Sequence, residues 1–174
     1  MLPVGVSAGA FPMITKSAYR DAMARFGAAV NVITSDGVAG RCGFTASAVC
    51  SVTDEPPTVL VCINRNSDSH PIIAINKVLC VNTLNAGQQA LSPLFGGQVE
   101  SDVETRFAAA SWSVLETGSP VLDEATVAFD CRVSGITEIG THSVLFCEVV
   151  ALREGPAHEG LIYFGRDYYP VRRR

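Results

Sequence analysis

The sequence has no Gly-x-Gly-x-x-Gly run opening a helix, no Cys-x-x-Cys, and no apolar stretch near the roughly 18 residues of a membrane span. The first absence excludes a Rossmann domain, so any dinucleotide must be held by another fold. The second leaves Cys42, Cys50, Cys62, Cys80, Cys131 and Cys147 without redox-motif or zinc-ligand spacing. Most of them lie in apolar runs, where a free cysteine behaves as a small hydrophobe. All six are therefore expected to be reduced, in a cytoplasmic protein. The third excludes a membrane helix, and the N-terminus lacks the cationic and apolar regions of a secretory leader. Charge is scarce too, at 17% of residues with a net −4, which argues against a nucleic-acid partner. The only basic cluster is at residues 172–174, expected to be a short tail.

Apolar residues, by contrast, make up 48% of the 174. That is enough for one domain with a real core, and enough to suggest a covered subunit surface. Residues 1–12 mix Gly, Pro, Ser and Ala and are expected to be a loose tail ahead of a single domain over 13–171. A helix is expected from Ser17, as cap, to Phe26, with the face of Tyr19, Met23 and Phe26 packed on the rest of the fold. Residues 29–35 alternate as a strand, Asp36-Gly37 marks a turn, and Gly40–Thr53 returns. Further strands are expected over Thr58–Ile63, Val78–Leu84, Ala125–Ile139 (bent at Gly135), Ser143–Glu154 and Leu161–Phe164. Helical spacing occurs over Ile72–Asn76, Gln88–Phe95 and Val103–Ala110. Strand hairpins with later helices and no βαβ alternation indicate a mainly β fold, an antiparallel barrel with peripheral helices.

Two consecutive stretches carry the chemistry. Gly43-Phe44-Thr45-Ala46-Ser47-Ala48-Val49-Cys50-Ser51 sets small hydroxyl residues among small apolar ones, leaving room for a flat heterocycle against the backbone. Pro56-Pro57 ends that strand. After the apolar run Thr58–Ile63 comes Asn64-Arg65-Asn66-Ser67-Asp68-Ser69-His70-Pro71, a polar loop with a guanidinium and neutral donors suited to a phosphate. Together they offer one end for a ring and one for a phosphate.

These residues resemble the short-chain flavin reductase family, the reductase components of two-component flavin monooxygenases. The similarity runs through Gly43–Pro57, Val61-Cys62-Ile63-Asn64 with Ser67, and Leu79-Cys80-Val81-Asn82. It continues in Arg106-Phe107 with Trp112, Ile139-Gly140-Thr141-His142 and Gly160–Phe164, so it spans nearly the whole chain. Reductases serving 4-hydroxyphenylacetate hydroxylation and pyrimidine-ring oxidation look most similar. The resemblance implies an FMN-binding split β-barrel of Greek-key-like antiparallel strands, usually a homodimer with flavin near the interface. It also implies an NAD(P)H:flavin oxidoreductase that supplies reduced FMN or FAD to a separate monooxygenase. NADH or NADPH would then bind over the flavin. Two other readings of the scaffold remain: a flavin-dependent corrin or metal-chelate reductase, and a non-catalytic flavin- or haem-binding barrel.

Hydride transfer between cofactors needs no acid, base or nucleophile, and no metal ligands are assigned. On the flavin side the resemblance implies Thr45, Ala46, Ser47 and Ser51 at the ring edge, and Asn64, Arg65, Asn66 and Ser67 at the phosphate. Asn82 is a flavin hydrogen-bond partner or a satisfied strand-end residue. Phe95 lies against a ring or packs in the helix core, and His70 caps the phosphate loop or serves only its turn. His142, in a Gly-x-His motif, is expected at the nicotinamide, although Thr141 stands where the family commonly has Asp. Tyr163, Arg166 and Tyr168 are expected on the same side. Trp112 is expected to anchor a helix to the barrel.

Overall fold

The computed structural model describes residues 13–156 and 159–172. Residues 1–12, expected as a tail, lie outside the described residues, as do 157–158 and 173–174. The order is α1 (Lys16–Met23), β1 (Ala28–Ala29), β2 (Asn31–Ser35), β3 (Cys42–Ala46), β4 (Val49–Asp54), β5 (Pro57–Asn64), α2 (Ser69–Asn76) and β6 (Val78–Thr83). A 3₁₀ turn (Ala86–Gln88) leads to α3 (Leu91–Phe95), α4 (Val103–Ala108), β7 (Trp112–Ser113) and β8 (Val121–Leu122). The chain ends with β9 (Val127–Ile139), β10 (His142–Glu154), β11 (Glu159–Phe164) and β12 (Asp167–Arg172). No helix among the described residues is long and apolar enough to cross a membrane.

Seven antiparallel strands form the main sheet in the order β3-β2-β6-β9-β10-β5-β4. Its two edges, β3 and β4, are adjacent in sequence. The expected single strand over Gly40–Thr53 is therefore broken at Ser47-Ala48, where the chain steps from one edge of the sheet to the other. The cause is pairing: β3 has its partner in β2, β4 has its own in β5, and a flat continuous strand cannot serve both. Closing the curled sheet this way leaves a split between the edges, the architecture of a split barrel.

Inside the curl, Ile33, Val61, Ile63, Leu79, Val81 and Leu145 are at most 1% exposed, and Ile73 of α2 plugs one end. A second core of Val32, Leu84, Phe95, Phe107, Leu122 and Leu161 lies under α3 and α4. Each such side chain contributes roughly 1.5–3 kcal/mol by leaving water. Trp112 anchors α4, its indole N–H donating to Phe107 O at 2.9 Å. The bend expected at Gly135 is a register shift, in which Gly135 opposes Phe146 while Val133 opposes Cys147.

Three features differ from the sequence reading. The cap of α1 is Thr15, which accepts from Ala18 N at 3.1 Å, and the helix stops at Met23. Its apolar face does not pack on the barrel: Tyr19, Met23 and Phe26 are 58%, 44% and 71% exposed. Apolar spacing marks a face suited to burial, and this chain's own core does not bury it. Finally, β12 runs through Arg172, which donates to Glu159, so the strand crosses the boundary at which a basic tail was expected. This last strand lacks the alternation that would mark it, with Tyr168, Tyr169 and Pro170 in a row.

Candidate flavin and nicotinamide groove

The split between the sheet edges opens into a groove of about 450 Å³. Its near wall is the end of β3 and the step, Thr45 to Ala48. Because β3 is an edge of the main sheet, part of its backbone has no strand partner on the groove side, although Gly43 O accepts from Ser69 Oγ at 3.5 Å. Ser47, exposed at the step, has no side-chain hydrogen bond among the described residues. Thr45 is differently employed: its hydroxyl donates to Ser92 O at 2.7 Å and ties β3 to α3. Ala46 is buried and passive, its carbonyl accepting from Asn31.

The far wall is the loop after β5. Asn64 Oδ1 accepts from Asn66 N at 3.0 Å, and Ser67 N and His70 N donate to Asn64 O and Ser67 O, each at 3.0 Å. This self-bonded turn points Asn66 and Ser67 into the groove with their side chains unengaged among the described residues. His142 completes the rim. It opens β10 directly opposite Asn64, and Thr141 Oγ1 lies 2.9 Å from its Nδ1. The residue that departs from the family pattern thus orients the imidazole of His142, which lines the groove.

Four expected site residues lie elsewhere. Arg65 alternates with Asn64 and Asn66, so it turns outward and pairs with Glu138 at 2.5 Å instead of facing a phosphate. Ser51 is on the exposed outer strand β4, away from the groove. His70 faces the sheet, with Nε2 2.9 Å from Ser143 Oγ. Asn82 is fully buried: its amide donates to Val32 O and Thr34 Oγ1 at 3.1 Å, and its carbonyl accepts from Leu122 N at 2.8 Å. It is the satisfied core residue, unable to reach a ligand. Phe95 is intermediate. It is 2% exposed and edge-on to Phe107 and Trp112, and it rests on Gly43, where a Cβ would come within 2.8 Å of its ring. It forms groove floor with its edge and offers no face for stacking.

Tyr163, Arg166 and Tyr168 come together, but around Ser47's other side. Tyr163 and Tyr168, 5.1 Å apart, line a notch of about 230 Å³ that shares Thr45, Ala46, Ser47 and Gly96 with the groove. Tyr168 OH is 2.9 Å from Ser92 Oγ. Arg166 is held by Asp21 of α1 at 2.5 Å, and that guanidinium keeps the Asp21 carboxyl below its usual range. Both Tyr163 and Arg166 line a larger hollow of about 810 Å³ under α1, floored by Ser47–Cys50 and Leu60.

Two charged groove residues had no role assigned from sequence, Asp68 and Arg106. Arg106 of α4 is the cation that lines the groove among the described residues. Its Nε and one terminal nitrogen donate to Ser101 Oγ and O at 3.1 and 3.0 Å, which fixes the guanidinium plane. Sequence separation hid it: 39 positions part Arg106 from Ser67, and only the α3–α4 packing against β3 joins them.

The residues fit a flavin mononucleotide: an edge strand with unpaired backbone for a heterocycle rim, and Asn66, Ser67 and Arg106 as donors for a terminal phosphate. The sequence model of the flavin reductase like domain matches residues 23–172. "FMN reductase (NADH) RutF" of Variovorax paradoxus is 60% identical over 163 residues, 94% of this chain and 89% of that protein. Among solved structures, the Streptomyces globisporus NADH:FAD oxidoreductase SgcE6, in complex with NAD and FAD fragments, superposes with a TM-score of 0.81 at 26% identity. It covers 88% of this chain and 91% of its own. A nitrilotriacetate monooxygenase component B homolog from Mycobacterium thermoresistibile gives 0.82 at 29% identity, over 90% of this chain and 86% of that one.

Proposed function

The chain belongs to the flavin reductase-like family, and from that premise we propose that it is an NADH-dependent FMN reductase supplying reduced flavin to a separate monooxygenase. The observation that carries the reading is the groove at the Ser47-Ala48 step, with unpaired strand edge on one side, an Arg106–Asn66–Ser67 donor set on the other, and His142 at the rim. When bound, the flavin and nicotinamide supply the hydride chemistry between themselves. The protein's part is placement. The β3 edge and Ser47 hold the ring rim, Arg106, Asn66 and Ser67 hold the phosphate, and His142 sets the approach of the nicotinamide. No side chain moves a proton. The groove is open, as a protein that releases its reduced product requires.

The same reading includes a homodimer. The exposed face of α1, the 810 Å³ hollow beneath it and the exposed strand β4 lie together beside Ser47, so a second copy seated there would close the site from the side of Tyr163 and Arg166. The free thiols support a reducing, cytoplasmic setting.

The test is anaerobic NADH oxidation by purified protein with FMN, FAD or riboflavin, together with light scattering. Flavin-dependent oxidation, fastest with FMN and NADH, at about twice the 18.4 kDa chain mass is expected. Absence of flavin-dependent NADH oxidation overturns the activity, and full activity in a monomer overturns the dimeric site.

A further inference from the structure

We propose that Arg65 is a positioning residue: it clamps the turn that presents His142 to the loop that presents Asn66 and Ser67. The inference rests on reading the groove as the flavin and nicotinamide site. In the sheet β10 lies between β5 and β9. Arg65, just past the end of β5, therefore reaches across the start of β10 to Glu138 near the end of β9. There its NH1 donates to Glu138 Oε2 at 2.5 Å and its NH2 to Gly140 O at 2.9 Å. Its own backbone N–H donates to Thr141 O at 3.0 Å.

The last two bonds locate the function. Ile139 pairs with His142, so Gly140 and Thr141 form a two-residue hairpin turn, with Gly140 at φ +57° supplying the left-handed first position. The two carbonyls of such a turn have no partner in the ladder. Arg65 takes both of them, one with its side chain and one with its backbone. An exposed ion pair contributes little to stability. Two bonds converging on one two-residue turn, with the third to Glu138 two residues before it, instead fix where that turn sits, and His142 is the next residue. Thr141 fixes the ring and Arg65 fixes the backbone that carries it. Coupling in the other direction is weak, because the loop of Asn66 and Ser67 is held by its own bonds from Asn64 to His70.

The experiment compares Arg65→Ala, Arg65→Lys, Glu138→Ala, His142→Ala and the double variant Arg65→Ala/His142→Ala. FMN affinity is measured by fluorescence, flavin reduction by anaerobic stopped flow with NADH, and backbone order by amide hydrogen exchange on flavin-free protein. Arg65→Ala is expected to slow flavin reduction about tenfold, since small misplacements of reacting groups cost steeply in rate. FMN affinity should stay within about twofold, because the ring and phosphate contacts are not touched. Glu138→Ala removes one of the three bonds and should cost less, and Arg65→Lys should recover part of the loss. The double variant should be no slower than His142→Ala, because Arg65 acts through that residue. Exchange at residues 139–143 should quicken in Arg65→Ala while 66–70 stays protected. FMN weakened with riboflavin unaffected, losses that multiply in the double variant, or unchanged exchange at 139–143 would each overturn the clamp. Should the unaltered protein reduce no flavin at all, the function falls, while the exchange measurement still decides the clamp.

Discussion

Asn82 and Asn66 are the same residue type in opposite conditions. Asn82, on β6, has donors and acceptor all engaged inside the protein, and no buried side-chain nitrogen or oxygen among the described residues lacks a partner. Asn66, at the groove, uses only its backbone N–H, in the turn with Asn64. The contrast extends to whole regions. On the β2–β6 side, Asn31, Thr34 and Asn82 weld strands to one another. At the split, Ser47, Asn66 and Ser67 stand where backbone pairing stops and keep their hydrogen-bonding capacity for something else. The lesson is that polarity alone does not mark a site; polarity left over after the fold has bonded itself does.

The sharpest way to break the comparison is Asn82→Ala. It strands Leu122 N inside the core and takes a donor from Val32 O and Thr34 Oγ1, at about 1–3 kcal/mol for an unsatisfied group and about 3 kcal/mol in all. For a domain of this size the midpoint should fall by about 6–12 °C. FMN affinity of the folded fraction should not change. A variant that melts normally yet loses FMN would put Asn82 at the ligand and erase the distinction.

How far the sequence carries such a distinction is visible in these same residues. The long strands, the mainly β class and the groove stretches Thr45–Ser47 and Asn64–Ser67 were legible because alternation, turn residues and small hydroxyls are local signals. The break at Ser47-Ala48 was not, since Gly40–Thr53 is locally uniform and only the separate partners β2 and β5 divide it. The orientation of Arg65 was not, because whether a loop residue turns inward depends on Glu138, 73 positions away. Arg106 entered with the family match yet had no role, for its nearness to Ser67 is tertiary. The face of α1 was read correctly as apolar and wrongly as packed on the barrel: periodicity reveals an apolar face but not whether this chain's own core covers it.

On the groove side, His142→Ala is expected to slow flavin reduction by NADH about thirtyfold, through loss of nicotinamide placement. Reduction by dithionite and FMN affinity should be unchanged. Stopped flow at varied NADH is the measurement. Reduction at the unaltered rate and affinity would make His142 a turn residue and move the nicotinamide to the notch at Tyr163 and Tyr168.

Arg106→Ala probes the opposite end. Loss of one charge-assisted hydrogen bond to a phosphate costs about 1.5–2 kcal/mol, or roughly ten- to thirtyfold in FMN affinity. Riboflavin, which has no phosphate, should bind as before. The parallel Arg65→Ala variant should spare both flavins, so titrating the two variants with FMN and riboflavin tests whether Arg106 or Arg65 is the phosphate cation. Equal weakening of FMN and riboflavin by Arg106→Ala would assign it to packing alone.

The smallest effect belongs to the sealed region and reads it through pH. Cys42 is 3% exposed, and burial pushes its thiol from 9.0 up to about 11. Burial likewise raises Cys147 to about 12, and Cys80 and Cys131 are pushed up further still. With the folded value above the unfolded one, the unfolded chain gives up its proton first as pH rises. The stability each thiol confers is therefore complete well below pH 9.0 and declines as pH climbs from there toward about 11 for Cys42. At the unfolded midpoint each such thiol removes about 0.4 kcal/mol, the free energy of one half-titrated group in the unfolded chain. Urea unfolding at neutral pH and at about pH 9 should show that loss, and Cys42→Ala should shrink it by about 0.4 kcal/mol whatever the substitution does to stability at neutral pH. An identical decline in the variant would mean that the Cys42 thiol reaches water in the folded protein, and the core beneath β3 would be no more closed than the groove beside it.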